Sequence, residues 1–310
     1  MNCDRLFGRA TLLVCAATLS FRAAAGQQSD ARPSMLVTPN WLATHLHDAN
    51  LVLLHVGSAD EYAKAHIAGA RFVSTADVAT PRPDSMFKTR TLEMLPADEL
   101  RQRLEKFGIT NKSRIVVYFG NNQVTPSTRI VLTLDYAGLG AATSLLDGGM
   151  PAWVAAGNTT TTDVPPAAPG NLAPLNVNPV VVTGDWVRDH ATTEGYALVD
   201  ARNTVYYDGT NPGGPAGHQQ KGHIPGAKSI PYDSMWTSKN ELRPANELRD
   251  ILTRAGIKPG DTIVSYCHIG QQATSIIFAA RSLGIKAVLY DGSFEDWVLR
   301  NWPVELPPPL

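Results

Sequence analysis

The chain has 310 residues, 44% of them hydrophobic and 18% charged, and a formal net charge of −1. That composition supplies a globular core and excludes wholesale disorder, and the length fits two domains. The balanced charge gives no field that would draw nucleic acid or an anionic membrane. Three cysteines (Cys3, Cys15 and Cys267) exclude a disulfide scaffold and a zinc site of several thiolates.

Arg5 and Arg9 precede a mostly apolar stretch, 10–21, which is followed by Ala23-Ala24-Ala25 and a polar run from Gly26. A positive start, a short apolar run and small residues, in that order, read as a signal peptide over residues 1–25. The apolar run is shorter than the roughly 20 residues that cross a bilayer. The expectation is an exported protein, periplasmic or secreted, free of the membrane after cleavage and keeping Cys267 as its one thiol.

A repeat then sets the domain organisation. Ile115-Val116-Val117-Tyr118-Phe119 returns 148 positions later as Ile263-Val264-Ser265-Tyr266-Cys267. Upstream, His66-Ile67-Ala68-Gly69-Ala70 matches His223-Ile224-Pro225-Gly226-Ala227. Downstream, Asp147-Gly148 and Trp153 match Asp291-Gly292 and Trp297. So long a period means two homologous domains, over 35–158 and 180–308. The stretch 159–179 is rich in Thr, Pro, Ala and Asn without periodicity and reads as an extended linker.

In chain order, 51–56 reads as a buried strand, 95–107 as an amphipathic helix and 115–118 as a β-branched strand. The second copy repeats this with strand 196–200, helix 246–255 and strand 262–266, followed by helix 273–280. Alternating strands and helices predict an α/β fold, each domain a mostly parallel sheet flanked by helices. Sites in such sheets lie beyond the carboxyl ends of the strands.

Cys267 sits there, between strand and helix, followed by His268-Ile269-Gly270-Gln271-Gln272 and then Ala273. A helix N-terminus with free backbone N–H groups stabilises a thiolate. The alternative for a lone cysteine is a buried, inert residue. Three chemistries do not fit the loop. A redox pair needs a second cysteine at position 270, and glycine is there; a tyrosine-phosphatase loop needs arginine at 273, and alanine is there. A papain-like protease does not suit the alternating fold. A loop that cradles a small anion at sulfur fits a cysteine carrying a persulfide.

Taken together, these motifs resemble the tandem-domain rhodanese family of thiosulfate and 3-mercaptopyruvate sulfurtransferases, over residues 35 to 308. Cys267, Gly270 and Ala273 match the family's active loop; Asp200-Ala201-Arg202 resembles its Asp-x-Arg, and Gly222-His223-Ile224-Pro225-Gly226-Ala227 its glycine-histidine turn. The resemblance implies a sulfurtransferase working through a Cys267 persulfide, with a small-molecule sulfur donor and acceptor and no cofactor or metal. It assigns substrate contacts to His268, Ile269, Gly270, Gln271, Gln272, Ala273 and Arg202. Asp200 pairs with Arg202 beside the site, and that ion pair reads as structural first. Phe119 stands where the first copy would need its cysteine, so that domain is non-catalytic.

Departures from the family leave the donor open. His268 and Ile269 stand where thiosulfate enzymes place basic residues and mercaptopyruvate enzymes place small ones; Gln272 replaces the closing threonine, and Tyr206 a donor-binding arginine. His268 is expected to bind an anionic donor as imidazolium, its pKa raised by the donor and the thiolate, or else to be an exposed loop residue. Tyr206, Tyr207, Lys221 and Trp236 are candidates for the cleft entrance. The competing function is a non-catalytic persulfide- or anion-binding module that relays sulfur to a partner protein. Oligomeric state is not legible.

Overall fold

A computed structural model describes residues 31–80, 92–121, 123–166, 168–214 and 216–307. The signal-peptide reading falls outside the described residues.

Among the described residues twelve strands occur in chain order: β1 (Leu36–Val37), β2 (Leu51–Val56), β3 (Arg71–Val73), β4 (Ala79–Thr80), β5 (Glu93–Met94), β6 (Arg114–Phe119), β7 (Thr143–Leu146), β8 (Val181–Val182), β9 (Tyr196–Asp200), β10 (Lys228–Ser229), β11 (Thr262–Tyr266) and β12 (Ala287–Tyr290). Ten of them form two five-stranded sheets, ordered β1-β7-β6-β2-β3 and β10-β9-β11-β12-β8, with every pairing in these sheets parallel. Read from opposite ends the two orders are the same, so the sequence repeat is a structural repeat. Strands β4 and β5 make a small antiparallel ribbon.

The strands sit where the buried apolar runs lie. Along β6, Ile115, Val117 and Phe119 face one core cluster while Val116 and Tyr118 face another, as a two-residue period requires. The expected helices form over Ala97–Lys106, Ala245–Arg254 and Ala273–Ser282. The first starts two residues later than expected because Pro96 lacks the N–H a helix interior needs and sits as the N-cap.

Three apolar clusters result. Two cover the outer faces of the sheets, and the third runs without a break from one domain into the other. It passes through helix Val124–Tyr136 of the first domain, which packs on helix Ala273–Ser282 of the second. The hydroxyls of Thr128 and Thr274 lie 2.7 Å apart across this joint, and Arg281 pairs with Asp135.

The stretch 159–179 carries no helix or strand among its described residues, but it is pinned to the first domain. The N–H groups of Gly170 and Leu172 donate to the Glu105 carbonyl and carboxylate, and Leu172 enters the continuous core. No helix among the described residues is long and apolar enough to cross a membrane.

Candidate functional site

Cys267 follows the last residue of β11, the central strand of the second sheet, and is 1% exposed. Its N–H donates to Ser293 Oγ at 3.2 Å and its carbonyl accepts from Phe294 N–H at 3.0 Å. The next carbonyl, of His268, accepts from Glu295 N–H at 3.1 Å. The turn after β12 thus underlies the cysteine and fixes the start of the loop. Ser293 holds that turn at φ +54°, an unusual conformation for a residue with a side chain. Its hydroxyl, receiving from Cys267 and donating to Tyr290 O, compensates.

From there the loop rises free. None of the backbone N–H groups of residues 268 to 273 has an acceptor among the described residues. Six donors in succession, ending at the N-terminus of helix Ala273–Ser282, are what an anion held at the sulfur needs.

Gly270 makes the loop possible. It sits at φ +81°, and a Cβ there would lie 2.8 Å from the Asp291 carbonyl and 3.2 Å from Arg129 Nη1. Gly270→Ala is expected to lose about 1–3 kcal/mol of stability through the strained φ and the clash. The readout is the urea midpoint, and a variant as stable as the parent would mean the loop has room to re-form.

Asp200 and Arg202 form the expected ion pair. Asp200 Oδ2 lies 2.6 Å from Arg202 Nη2, with neither side chain exposed, and accepts from Tyr266 O–H at 2.7 Å. Arg202 also donates to the Gly222 carbonyl and lies 3.8 Å over the Phe294 ring. Its Nη1 has no hydrogen-bond partner among the described residues and lies beside Gly213. The pair therefore locks the end of β9 to that of β11 beneath the loop.

A cleft of about 340 Å³ opens at the start of the loop, next in sequence to the buried Cys267, lined by His268, Ile269, Tyr206, Gly213, Gln219 and Glu295. Of the four entrance candidates, only Tyr206 lines it, meeting His268 edge-on at 4.6 Å. Tyr207 instead stacks on His223 at 3.7 Å. Lys221 is exposed, and Trp236 is core, donating to Ser275 Oγ at 2.6 Å. Gln271 Nε2 reaches Thr125 in the first domain at 3.3 Å, while Gln272 Oε1 is buried without a hydrogen-bond partner among the described residues. Ala273 is the first residue of its helix.

The electrostatics of His268 correct the expectation of a raised pKa. Burial, and then the Arg202 guanidinium, lower it to about 4. The ring is neither an exposed loop residue nor a cation at neutral pH. His55 in the first domain is also held at about 4, by burial and then by His66. An unfolded histidine titrates near 6.5, so the stability of neutral rings is present above that pH and lost as pH falls toward 4. The protein is expected to have a lower urea midpoint at pH 5 than at pH 7.5. His268→Gln should narrow that difference, and an unchanged difference would show that His268 does not carry it.

Sequence reasoning missed Arg129 and Asp291 as parts of the site. Arg129, on helix Val124–Tyr136, is fully buried and reaches across the joint to Asp291 Oδ1 at 2.6 Å and the Gly270 carbonyl at 3.1 Å. Asp291 Oδ2 accepts from Met94 N–H at 2.8 Å, and its repeat counterpart Asp147 accepts from Leu242 N–H at 2.8 Å. One signal was available: Arg129 interrupts an apolar helix whose counterpart, Ala273–Ser282, has no charged residue before Arg281. Among the described residues no three His, Cys, Asp or Glu side chains are grouped to hold a metal ion.

The model of the rhodanese-like domain matches this chain twice, over residues 38–156 and 183–300. The sulfur carrier protein TtuD of Thermus thermophilus is 30% identical over 281 residues, covering 86% of this chain and 94% of its own length. Thiosulfate/3-mercaptopyruvate sulfurtransferase 1 of Arabidopsis thaliana is 28% identical, covering 87% of this chain and 78% of that protein. The thiosulfate sulfurtransferase of Pseudomonas aeruginosa is 26% identical, covering 85% and 93%. Among solved structures, the anaerobic ergothioneine biosynthesis enzyme of Chlorobium limicola superposes with a TM-score of 0.79. At 22% identity, over 90% of this chain and 72% of that one, the likeness is one of fold.

Proposed function

Because the chain belongs to the rhodanese-like family, with two such domains in tandem, we propose that it is an exported sulfurtransferase whose second domain carries sulfur on Cys267. The observation that carries this reading is the single described thiol at the foot of six unengaged backbone N–H groups. Curated relatives with sulfur-transfer names, at 26–30% identity over most of the chain, support it. The export part rests on the N-terminal pattern around Arg5, Arg9 and Ala23-Ala24-Ala25.

In the first half-reaction the Cys267 thiolate attacks the outer sulfur of the donor. With thiosulfate, the S–S bond breaks and sulfite leaves with the electron pair. With 3-mercaptopyruvate, the C–S bond breaks and the pyruvate enolate leaves, taking up a proton. Either way a Cys267 persulfide remains, its terminal sulfur negative. The N–H groups of residues 268 to 273 and the positive end of the helix act on that charge, as donors fixed in place before the reaction. In the second half-reaction a nucleophile such as cyanide or a thiolate takes the terminal sulfur. The S–S bond breaks, and the Cys267 thiolate returns.

His268, Ile269 and Tyr206 line the donor's approach; the Asp200–Arg202 pair lies beneath it as support. With His268 neutral above pH 5, it enters donor binding as a neutral hydrogen-bonding ring. The first domain has Phe119 packed against Gly149 where the second has Cys267 and Ser293, so it carries no sulfur.

The test is intact-mass measurement after exposure to thiosulfate or to 3-mercaptopyruvate, followed by cyanide. The expected result is a gain of one sulfur atom, lost again as thiocyanate over many turnovers. No gain from either donor would overturn the reading. A gain that no small acceptor discharges would favour a relay module that hands sulfur to a partner protein.

A further inference from the structure

The domain joint places one side chain of the cysteine-free domain against the Cys267 loop. We propose that Arg129 is a positioning residue for that loop, and that the first domain thereby completes the site of the second. This rests on the sulfur-transfer reading for its catalytic consequence, and on geometry alone for its effect on the loop.

Arg129 lies in the middle of helix Val124–Tyr136, fully buried. A guanidinium in such a place needs partners, and its are all backbone or carboxylate oxygens around the site. Nη1 donates to the Gly270 carbonyl at 3.1 Å and to Asp291 Oδ1 at 2.6 Å, and Nη2 donates to the Leu92 carbonyl. Asp291 is clamped from its other oxygen by Met94 N–H, again from the first domain.

The Gly270 bond is the one with a consequence at sulfur. A peptide group is planar and trans, so its C=O and the following N–H point in opposite directions. Holding the Gly270 carbonyl toward Arg129 turns the Gln271 N–H away from the joint, to the loop's other side. A flip of this peptide would turn ψ of Gly270 and φ of Gln271; glycine, already at φ +81°, has no side chain to oppose its half of that rotation, so the orientation rests on Gln271 and on what holds the carbonyl. By holding the carbonyl, Arg129 adds to that selection and helps aim one of the six donors the loop offers to an anion. The Gln271 side chain, reaching Thr125 of the same helix at 3.3 Å, anchors the same residue to the same domain.

A second arginine on this joint provides the control. Arg281 pairs with Asp135 and donates to the Ala287 carbonyl, near the far end of the two packed helices. It joins the domains without touching the loop.

The experiment compares Arg129→Met, Arg129→Lys and Arg281→Met in the full chain, each checked for a cooperative urea transition. Two readouts are taken: amide hydrogen exchange of the loop peptide, and steady-state thiosulfate–cyanide turnover. For Arg129→Met the expected result is faster exchange at the loop and a fall in kcat of about tenfold or more, with KM changed less than twofold, since an interaction with the developing anion acts on kcat. Arg129→Lys keeps a charge for Asp291 but not the fork, and should lie between parent and Arg129→Met. Arg281→Met should leave both loop exchange and kcat at the parent level.

Equal loop exchange and equal kcat in Arg129→Met and Arg281→Met would overturn the proposal and leave Arg129 as one more tie across the joint. If Arg129→Met does not fold, the Lys variant decides by the same comparison. A parent that takes up sulfur from neither thiosulfate nor 3-mercaptopyruvate refutes the sulfur-transfer reading instead, and loop exchange then decides the positioning role alone.

Discussion

Cys267→Ser is expected to abolish sulfur uptake and to lower thiocyanate formation by at least about a thousandfold, the scale on which nucleophile deletions act. The oxygen of serine is nearly isosteric with sulfur, so the packing around residue 267 survives. Its N–H bond to Ser293 Oγ and its carbonyl bond to Phe294 N–H do not involve the side chain at all. A serine hydroxyl stays protonated at neutral pH and forms no persulfide, so the loop's free N–H groups have no sulfur anion to hold. The expected signature is thus a folded protein, with a melting temperature within a few degrees of the parent's, that shows no mass gain with either donor. Residual turnover above the uncatalysed background would remove Cys267 from the mechanism.

Arg202→Leu should be the most destabilising single change near the site, by about 3–5 kcal/mol, because it strands a buried carboxylate. Asp200 is fully buried and is held by Arg202 Nε, Nη2 and backbone N–H as well as by Tyr266 O–H. Removing the guanidinium leaves that charge with a phenol and one amide. The double variant Asp200→Asn, Arg202→Leu is expected to recover a substantial part of the loss, since the stranded charge goes with it. Urea unfolding of both variants measures this. A single-variant loss within 1 kcal/mol of the parent would mean water reaches Asp200, and that the pair does not brace the strand ends.

His268 shows how a local reading reverses in the folded chain. From the sequence it is a titratable ring beside a thiolate, and proximity to anions argues for a raised pKa. In the structure the ring meets Tyr206 edge-on, and burial, followed by the cation of Arg202, outweighs the Asp200 carboxylate and lowers the value to about 4. The KM for an anionic donor is therefore expected to show no step from His268 protonation between pH 6 and 8. Trp236 and Tyr207 are a second case. Both are large, amphipathic residues that the sequence allows at an entrance, and both are used in packing.

What the sequence determined by itself is what rests on local chemistry and periodicity. The buried runs 51–56, 196–200 and 262–266 form strands, because alternating burial on two faces is written in consecutive residues. The strand–loop–helix placement of Cys267, the glycine that turns the loop and the doubling of the domain all follow from spacing alone. The ion pair of Asp200 and Arg202 was legible because only one residue separates them. The tertiary structure alone decided what crosses the joint. Arg129 is 141 residues from Gly270 and 162 from Asp291, and Met94 is 197 from Asp291. No pattern in either stretch fixes which side chain will meet which carbonyl there. That is set by how helix Val124–Tyr136 seats on helix Ala273–Ser282, a matter of complementary apolar surfaces rather than of any motif.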